Sequence, residues 1–166
     1  MTEFVVGLYA QYRESLIRML YRRTGDRDRA EELTQEVFAR AVAAPPRNPR
    51  PWLFAVALNL LREEGRRATR QGRHLELYRN EQPQWADGPD EDLLRDERVA
   101  KVRSALSILS DRDREVLLLQ AEGMNYDDIA QATGLAKGAI GTTLARARRR
   151  LVEAYRSGEG HQHAAS

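Results

Sequence analysis

Cysteine is absent from this chain of 166 residues. The protein therefore has no disulfide, no thiol redox switch and no thiolate metal site. Long apolar runs are also missing, since none approaches the roughly 20 residues needed to cross a bilayer. The opening MTEFVVGLYAQYRES lacks a basic leader followed by an apolar stretch. These absences predict a cytoplasmic protein without membrane insertion and exclude the enzyme classes that depend on cysteine.

Histidine is scarce as well. His74 lies in a basic stretch, and the other two, His161 and His163, lie in the C-terminal tail. The tail pair could bind a metal ion, although an incidental tail is the simpler interpretation. Paired carboxylates such as Glu63 and Glu64 are adjacent in sequence and so point in different directions on a helix. We expect no catalytic residue, no metal site and no cofactor, and so no enzyme.

Proline and glycine are sparse outside two clusters, at 45–51 and 83–89, and β-branched alternation is absent. This pattern predicts an all-α protein. Apolar residues at helical spacing predict a first helix that ends near Gly25 and a second that is capped by Asp26 or Asp28. A third begins near Pro51, which suits a first-turn position. Residues 1–71 are therefore expected to form a three-helix bundle.

The net charge of +2 conceals a sorted charge distribution. Residues 80–97 carry seven acids against one base, whereas residues 137–156 carry six bases against one acid. Helical periodicity disappears in the acidic stretch, which has the composition of a linker. We place a flexible acidic linker at 72–96. The basic segment is an electrostatic footprint for a polyanion.

A second small domain is predicted at 97–157. Ser110 is expected to cap a helix that Gly123 stops, and Asn125 to cap a short one after it. A last helix is expected from about Lys137 to Tyr155. The remaining residues, 158–166, have the composition of a disordered tail.

The most specific signal lies within this second domain and matches a helix-turn-helix. Ala130 is small where two helices cross, and Gly134 permits a left-handed turn between them. Because the second helix of such a unit enters the DNA major groove, its residues become candidate contacts. The alternative is a helical hairpin with a solvated basic face. The candidates for bases are Lys137, Thr142 and Thr143, and those for phosphates are Arg146, Arg148 and Arg149.

A second signal is the run RPWLFAVALNLLREEGRRATRQGRH, in which an apolar-faced helix becomes strongly basic toward its end. Its arginines can follow a phosphate backbone, and Asn59 can reach a base edge. Trp52 could stack on an unpaired base, although a core position for Trp52 and Phe54 is the simpler interpretation. The candidate DNA-binding residues here are Arg47, Asn48, Arg50, Trp52, Asn59, Arg62, Arg66, Arg67 and Arg70.

The third signal, DRDRAEELTQEVFARA, is an acidic helix start. Acids in a first turn are explained by the helix dipole alone, so this segment is weak evidence for a partner surface when taken by itself.

Together, in this order and at these separations, the three segments resemble the extracytoplasmic-function (ECF) sigma factors, group IV of the bacterial sigma-70 family. The resemblance covers residues 3–70 and 97–155. It implies a σ2 bundle that binds core RNA polymerase and the −10 promoter element and promotes melting, and a σ4 helix-turn-helix that binds the −35 element. It also implies contacts to the clamp and flap of the large polymerase subunits, and an anti-sigma factor. The residues implied to meet the clamp are Asp28, Glu32, Gln35, Glu36 and Phe38.

Two departures from the family pattern stand out. Gly141 follows Ile140 where the family's recognition helix usually has a basic residue. The loop APPRNPRP is short and rich in proline, so residues that would capture a flipped −10 base are not assigned. A rival interpretation is a sigma-like decoy that titrates a regulator without driving transcription. A dimeric repressor is less favoured, because one helix-turn-helix would not need the first 70 residues.

Overall fold

The computed structural model describes residues 3–71 and 90–164, and this part of the chain is built from seven α-helices without a strand. The predicted all-α class is confirmed. None of these helices is long and apolar enough to cross a membrane. The helices are α1 Glu3–Thr24, α2 Arg27–Ala43, α3 Pro49–Gln71, α4 Asp90–Ile108, α5 Asp111–Ala121, α6 Tyr126–Thr133 and α7 Lys137–Ala164.

The N-terminal bundle consists of α1, α2 and α3. Gly25 ends α1 at a φ of 68°, and the Asp26 side chain caps α2 by accepting from the Arg29 amide. Pro51 occupies the first turn of α3, where its missing N–H costs no helical hydrogen bond. Apolar stripes of all three helices meet in a dry core. Its fully buried members include Leu16, Met19, Leu20, Val37, Leu53 and Phe54.

The C-terminal bundle consists of α4 to α7 and contains the predicted helix-turn-helix in α6 and α7. The side chains of Ser110 and Asn125 cap α5 and α6, as predicted. Gly134 follows α6 in the left-handed conformation, with a φ of 79°. Ile129 and Ile140 are fully buried in the angle between the two helices. The helix caps, the left-handed glycine and the apolar spacing, which are all readable in the sequence, therefore specify the helix-turn-helix.

Two predicted boundaries are wrong. The acidic linker was expected to continue to residue 96, but α4 begins at Asp90. The residue before Asp90 is a proline, which disfavours extension of the helix toward the N-terminus. Residues 94–98 are mostly good helix formers, which extends the helix N-terminally. The last helix continues to Ala164 rather than ending near Tyr155, because no proline interrupts it. The rest of the predicted linker, residues 72–89, lies outside the described residues.

The two bundles are in contact with each other. Helix α1 packs on α4, and α3 packs on α6. The observed contact brings Arg62, on the basic face of α3, against Glu115 of α5.

Alanine substitutions of two glycines in the helix-turn-helix are expected to change its stability in opposite directions. Gly141→Ala is expected to raise the free energy of unfolding by up to about 1 kcal/mol, since Gly141 lies inside α7. A Cβ there would meet the Tyr126 ring at an ordinary 3.6 Å. Gly134→Ala is expected to lower it by about 1–2 kcal/mol, because alanine is strained at a φ of 79°. Urea unfolding would measure both, and equal signs would contradict the local argument.

Candidate nucleic-acid and polymerase interface

The basic face of α3 is largely solvent-accessible. Asn59, Arg62, Arg66 and Arg67 are all exposed, and so is Arg47 in the preceding loop. The cationic groups of Arg62, Arg66 and Arg67 extend over about one and a half turns of α3, which suits a polyanion backbone. The side chain of Arg70, the last predicted member, lies outside the described residues.

The two aromatic residues at the head of α3 differ in their burial. Phe54 is 1% exposed and belongs to the core, as the simpler interpretation predicted. Trp52 is partly buried and packs against the core. This intermediate burial does not separate its two predicted roles, so stacking on a base stays a prediction.

Three of the predicted −10 contacts are engaged by the C-terminal bundle. Arg62 Nε and Nη2 donate to the two carboxylate oxygens of Glu115, both at 2.6 Å. Arg50 Nη2 donates to the main-chain oxygen of Glu122 at 3.0 Å, and the Asn48 side chain donates to that of Gln131 at 2.6 Å. The pKa of Arg62 is raised, chiefly by its hydrogen bonds to Glu115.

The accessible face of α7 carries most of the predicted −35 contacts. Lys137, Thr142, Arg148 and Arg149 are exposed. Lys137 forms an ion pair of 2.9 Å with Asp127, with both side chains more than half exposed, and Arg148 donates to the Gln120 side chain. Exposed pairs of this kind cost little to break, so these groups remain available to DNA.

Two predicted −35 contacts need correction. Thr143 is 6% exposed because it shares the inner face of α7 with Ile140, Leu144 and Ala147, and its hydroxyl donates to the Ala139 carbonyl. In this structure it does not present its side chain to a base. Position along the helix predicted an outward threonine, whereas the periodicity of the buried stripe places it inside.

Arg146 also has a structural partner. Its Nη2 donates to Asp113 at 2.8 Å, and Arg150 donates to the other oxygen of the same carboxylate at 2.9 Å. The Asp113 side chain is fully buried. Burial alone would raise the pKa of Asp113, but hydrogen bonds from the two arginines outweigh it and leave that pKa below its usual value. This cluster joins α7 to α5, so Arg146 has a structural role that the prediction lacked, while its side chain stays 43% exposed.

Sequence reasoning missed the three carboxylates that organise these contacts, Asp113, Glu115 and Glu122. All three are buried, although each belongs to a residue type that is rarely inside a protein. Asp113 carried only the ordinary signature of an acidic first turn, and Glu115 and Glu122 lie in the second turn and just after the end of α5. Their partners are between 33 and 104 residues away in sequence, so no local pattern could have identified them.

The outer face of α2 presents a row of polar side chains. Asp28, Glu32, Gln35 and Glu36 are exposed and repeat at helical spacing on one side. Phe38 is different, because it is 5% exposed and packs edge-on against Tyr9, with ring centroids 5.0 Å apart. The predicted clamp surface is therefore polar in this structure, and Phe38 supports it from beneath.

Comparisons with known proteins match both bundles. Residues 8–71 match the family model described as Sigma-70 region 2, and residues 100–151 match the one described as Sigma-70, region 4. These two segments cover the α3 basic face, the α2 polar face and the helix-turn-helix. They occur in the order that the sequence predicted.

Individual relatives agree. The chain is 32% identical to the ECF RNA polymerase sigma factor EcfG of Rhodopseudomonas palustris, over 77% of this chain and 72% of the relative. It resembles CnrH, solved with the cytosolic domain of CnrY, at 26% identity and a TM-score of 0.64, covering 90% and 85% of the two chains. The fold is also similar to the sigma factor RpoE of Bartonella quintana, solved with the anti-sigma factor NepR, at 24% identity and a TM-score of 0.63, covering 93% and 98%. The protein belongs to the ECF sigma factors of the Sigma-70 family, regulatory DNA-binding proteins of transcription initiation.

Proposed function

We propose that this sigma factor binds core RNA polymerase through the outer face of α2, the −10 element through α3 and the loop before it, and the −35 element through α7. The observation that carries the proposal is the exposure of the polar and basic side chains on these three surfaces within the two matched regions. The polymerase supplies the chemistry, so the chain itself acts without catalysis, in the cytoplasm.

The α2 face suits a polar protein contact. Glu32 pairs with Arg29, and Glu36 pairs with Arg40, each within its own helix and partly exposed. Such pairs are worth well under about 1 kcal/mol, so a basic partner surface can replace them at little cost. Charge complementarity of this kind mainly sets association rate and orientation. The clamp of the large polymerase subunits is the partner that the family resemblance implies.

The α3 face suits a melted strand. Arg66 and Arg67 are exposed and have no acidic partner among the described residues, so they can neutralise phosphates directly. Asn59 lies about two turns before Arg66, on the polar side of the helix. Trp52, which is partly buried, lies at the head of the same helix and offers a ring for stacking on a base. Cationic side chains beside an aromatic ring are the usual combination in proteins that bind single-stranded DNA.

The α7 face suits duplex DNA, and its contribution can be measured by salt dependence. Replacing Arg148 and Arg149 together with alanine in the full chain is expected to lower the slope of log affinity against log salt by about 1.8, or about 0.9 for each lost phosphate contact. Fluorescence anisotropy with a labelled duplex would give the slope. The double variant Arg27→Ala with Arg40→Ala removes the same charge from α2 and should leave the slope unchanged. An equal fall in both would mean that overall charge, not α7, determines the slope.

Inhibition by an anti-sigma factor is the form of control we propose. Both similar structures contain a bound regulatory partner, the cytosolic domain of CnrY in one and the anti-sigma factor NepR in the other. This chain carries no cysteine that could serve as a redox switch. A partner that covers the α2 face would block polymerase binding directly.

Run-off transcription tests the function as a whole. Purified protein added to core polymerase on a fragment that carries its own promoter is expected to give a discrete transcript that core polymerase alone does not give. Gly141 leaves room for a decoy that titrates a regulator without driving transcription. A protein that binds core polymerase and an anti-sigma factor but yields no transcript on any genomic fragment would establish the decoy.

A further inference from the structure

The interface between the two bundles is held by charged groups that are unusually buried for a surface contact. The carboxylate of Glu122, 1% exposed, accepts from Arg22 at 2.7 Å and from Arg18 at 3.1 Å, and both arginines come from α1. The Glu115 carboxylate, 6% exposed, accepts from Arg62 of α3. The carboxylates of Glu115 in α5 and of Glu122 just after it thus engage three guanidinium groups of the N-terminal bundle.

Each bundle also caps a helix end of the other. Arg50 of the N-terminal bundle donates to the Glu122 carbonyl, just after α5, and Arg103 of the C-terminal bundle donates to the Thr24 carbonyl at the end of α1, at 3.3 Å. Carbonyls at helix ends lack partners within the helix and accept from cations favourably. Gly25, with a φ of 68°, leaves room for the second contact, since a Cβ there would require the Arg103 side chain to move aside.

This interface uses the same groups that the N-terminal bundle would offer to DNA. A carboxylate and a phosphate both match the two-pronged geometry of a guanidinium group, so Glu115 occupies the position on Arg62 that a phosphate oxygen pair would take. Arg50 is occupied by the main-chain oxygen of Glu122, and Asn48 by the side-chain amide oxygen of Gln131. A strand cannot reach these three donors while the bundles are in contact.

We propose that the free protein is self-inhibited: the C-terminal bundle closes over the −10 surface, with Glu115 of α5 standing in for DNA phosphate on Arg62. This inference rests on the proposed role of Arg62 in −10 binding. No second protein is required for closure, since every contact that maintains it lies within one chain.

The closed form leaves the polymerase-binding face of α2 accessible, so polymerase binding and separation of the bundles can follow one another in a defined order. Glu32 and Glu36 remain exposed on the outer face of α2. The side chains of Arg18, Arg22 and Arg62 are between 38% and 55% exposed, so water can reach them and the contact is reversible. Polymerase can therefore bind α2 before the bundles separate, and promoter DNA can bind after they have separated.

Closure can be measured by energy transfer, because a chain without cysteine accepts two labels cleanly. Exposed positions on the two bundles, Ala39→Cys and Val152→Cys, would carry the dyes. The wild type should give high transfer. Arg62→Glu should lower it, and the swap of Arg62→Glu with Glu115→Arg should restore it. Equal transfer in the wild type and Arg62→Glu, or a swap that fails to restore it, would overturn closure by this pair.

Glu115→Gln tests the link to DNA. This near-isosteric change should lower energy transfer and tighten binding of a single-stranded oligothymidine of about 20 nucleotides by about fivefold, in line with a part-exposed ion pair. Glu31→Gln, which removes the acid of an ion pair inside α2, is the matched control and should change neither value. Lower transfer with unchanged affinity would overturn self-inhibition.

The proposed function has a separate readout. Adding Arg62→Ala to Glu115→Gln should abolish the gain in affinity without restoring energy transfer. If the gain persists, Arg62 does not bind the strand, and both its −10 role and the phosphate-mimic inhibition fail. Closure itself would still stand on the charge-swap result, so the two failures are distinguishable.

Discussion

Removing the Asp113 carboxylate is expected to lower the free energy of unfolding by about 3 kcal/mol, because Asp113→Ala leaves Arg146 and Arg150 facing each other without their common acceptor. The carboxylate is fully buried, whereas the two arginines are about half exposed. Their partial hydration places the expected loss at the lower end of the range for a broken buried pair. Urea unfolding would measure it, with Asp111→Asn as the control, since Asp111 is 69% exposed. Equal losses in the two variants would show that burial of the pair contributes nothing.

The same cluster predicts a dependence on pH. The folded-state pKa of Asp113 lies below its usual value, so the folded protein holds this group ionised where the unfolded chain would protonate it. The resulting stability is fully present above the unfolded pKa of about 3.9 and is lost as pH falls through the folded pKa. Asp113→Asn should therefore flatten the decline of unfolding free energy below about pH 4. If the decline of unfolding free energy below about pH 4 is the same in the variant, other carboxylates cause it.

Substitutions of Phe38 and of its exposed neighbours on α2 are expected to affect different properties, stability in the first case and polymerase binding in the second. Phe38→Ala should cost about 3–5 kcal/mol of stability, the usual range for a buried phenylalanine, because Phe38 is 5% exposed and packs on Tyr9. The double variant Glu32→Ala with Glu36→Ala should change stability by no more than about 0.5 kcal/mol. It should nevertheless weaken core polymerase binding about tenfold, a loss of 1.4 kcal/mol.

Paired measurements of urea unfolding and polymerase pull-down separate the two cases. Glu14→Ala, on the exposed side of α1, is the matched control for the acidic pair. Phe38→Leu should recover most of the stability and the binding together, since it refills the core without an aromatic edge. A Phe38→Ala protein that folds as stably as the wild type yet fails to bind polymerase would return this ring to the contact surface.

Self-closure and an external inhibitor are compatible forms of control. An anti-sigma factor that binds a chain already closed by Glu115 and Glu122 needs only to stabilise an existing arrangement. Its binding energy is then not spent on ordering two independent bundles. Variants that open the chain, such as Glu115→Gln, should accordingly be more active and less readily inhibited.

The fold followed from local features of the sequence. Gly25, Asp26, Ser110, Asn125 and Gly134 each act through their own backbone or through an amide three residues away, so their effects were readable without tertiary contacts. Apolar spacing then gave the inner face of each helix. The order of the three segments carried the family assignment, which the matches to both sigma regions confirmed.

Residue roles within that fold depended on distance in space rather than in sequence. Phe38 and Thr143 lie at the edges of their helical stripes, where one further neighbour decides between core and surface, and that neighbour belongs to tertiary packing. The sequence by itself determined the helices, the helix-turn-helix and the distribution of charge. Only the tertiary structure decided that Arg62 meets Glu115, 53 residues away, because a guanidinium group pairs with whichever acid the packing of two bundles brings within hydrogen-bonding distance.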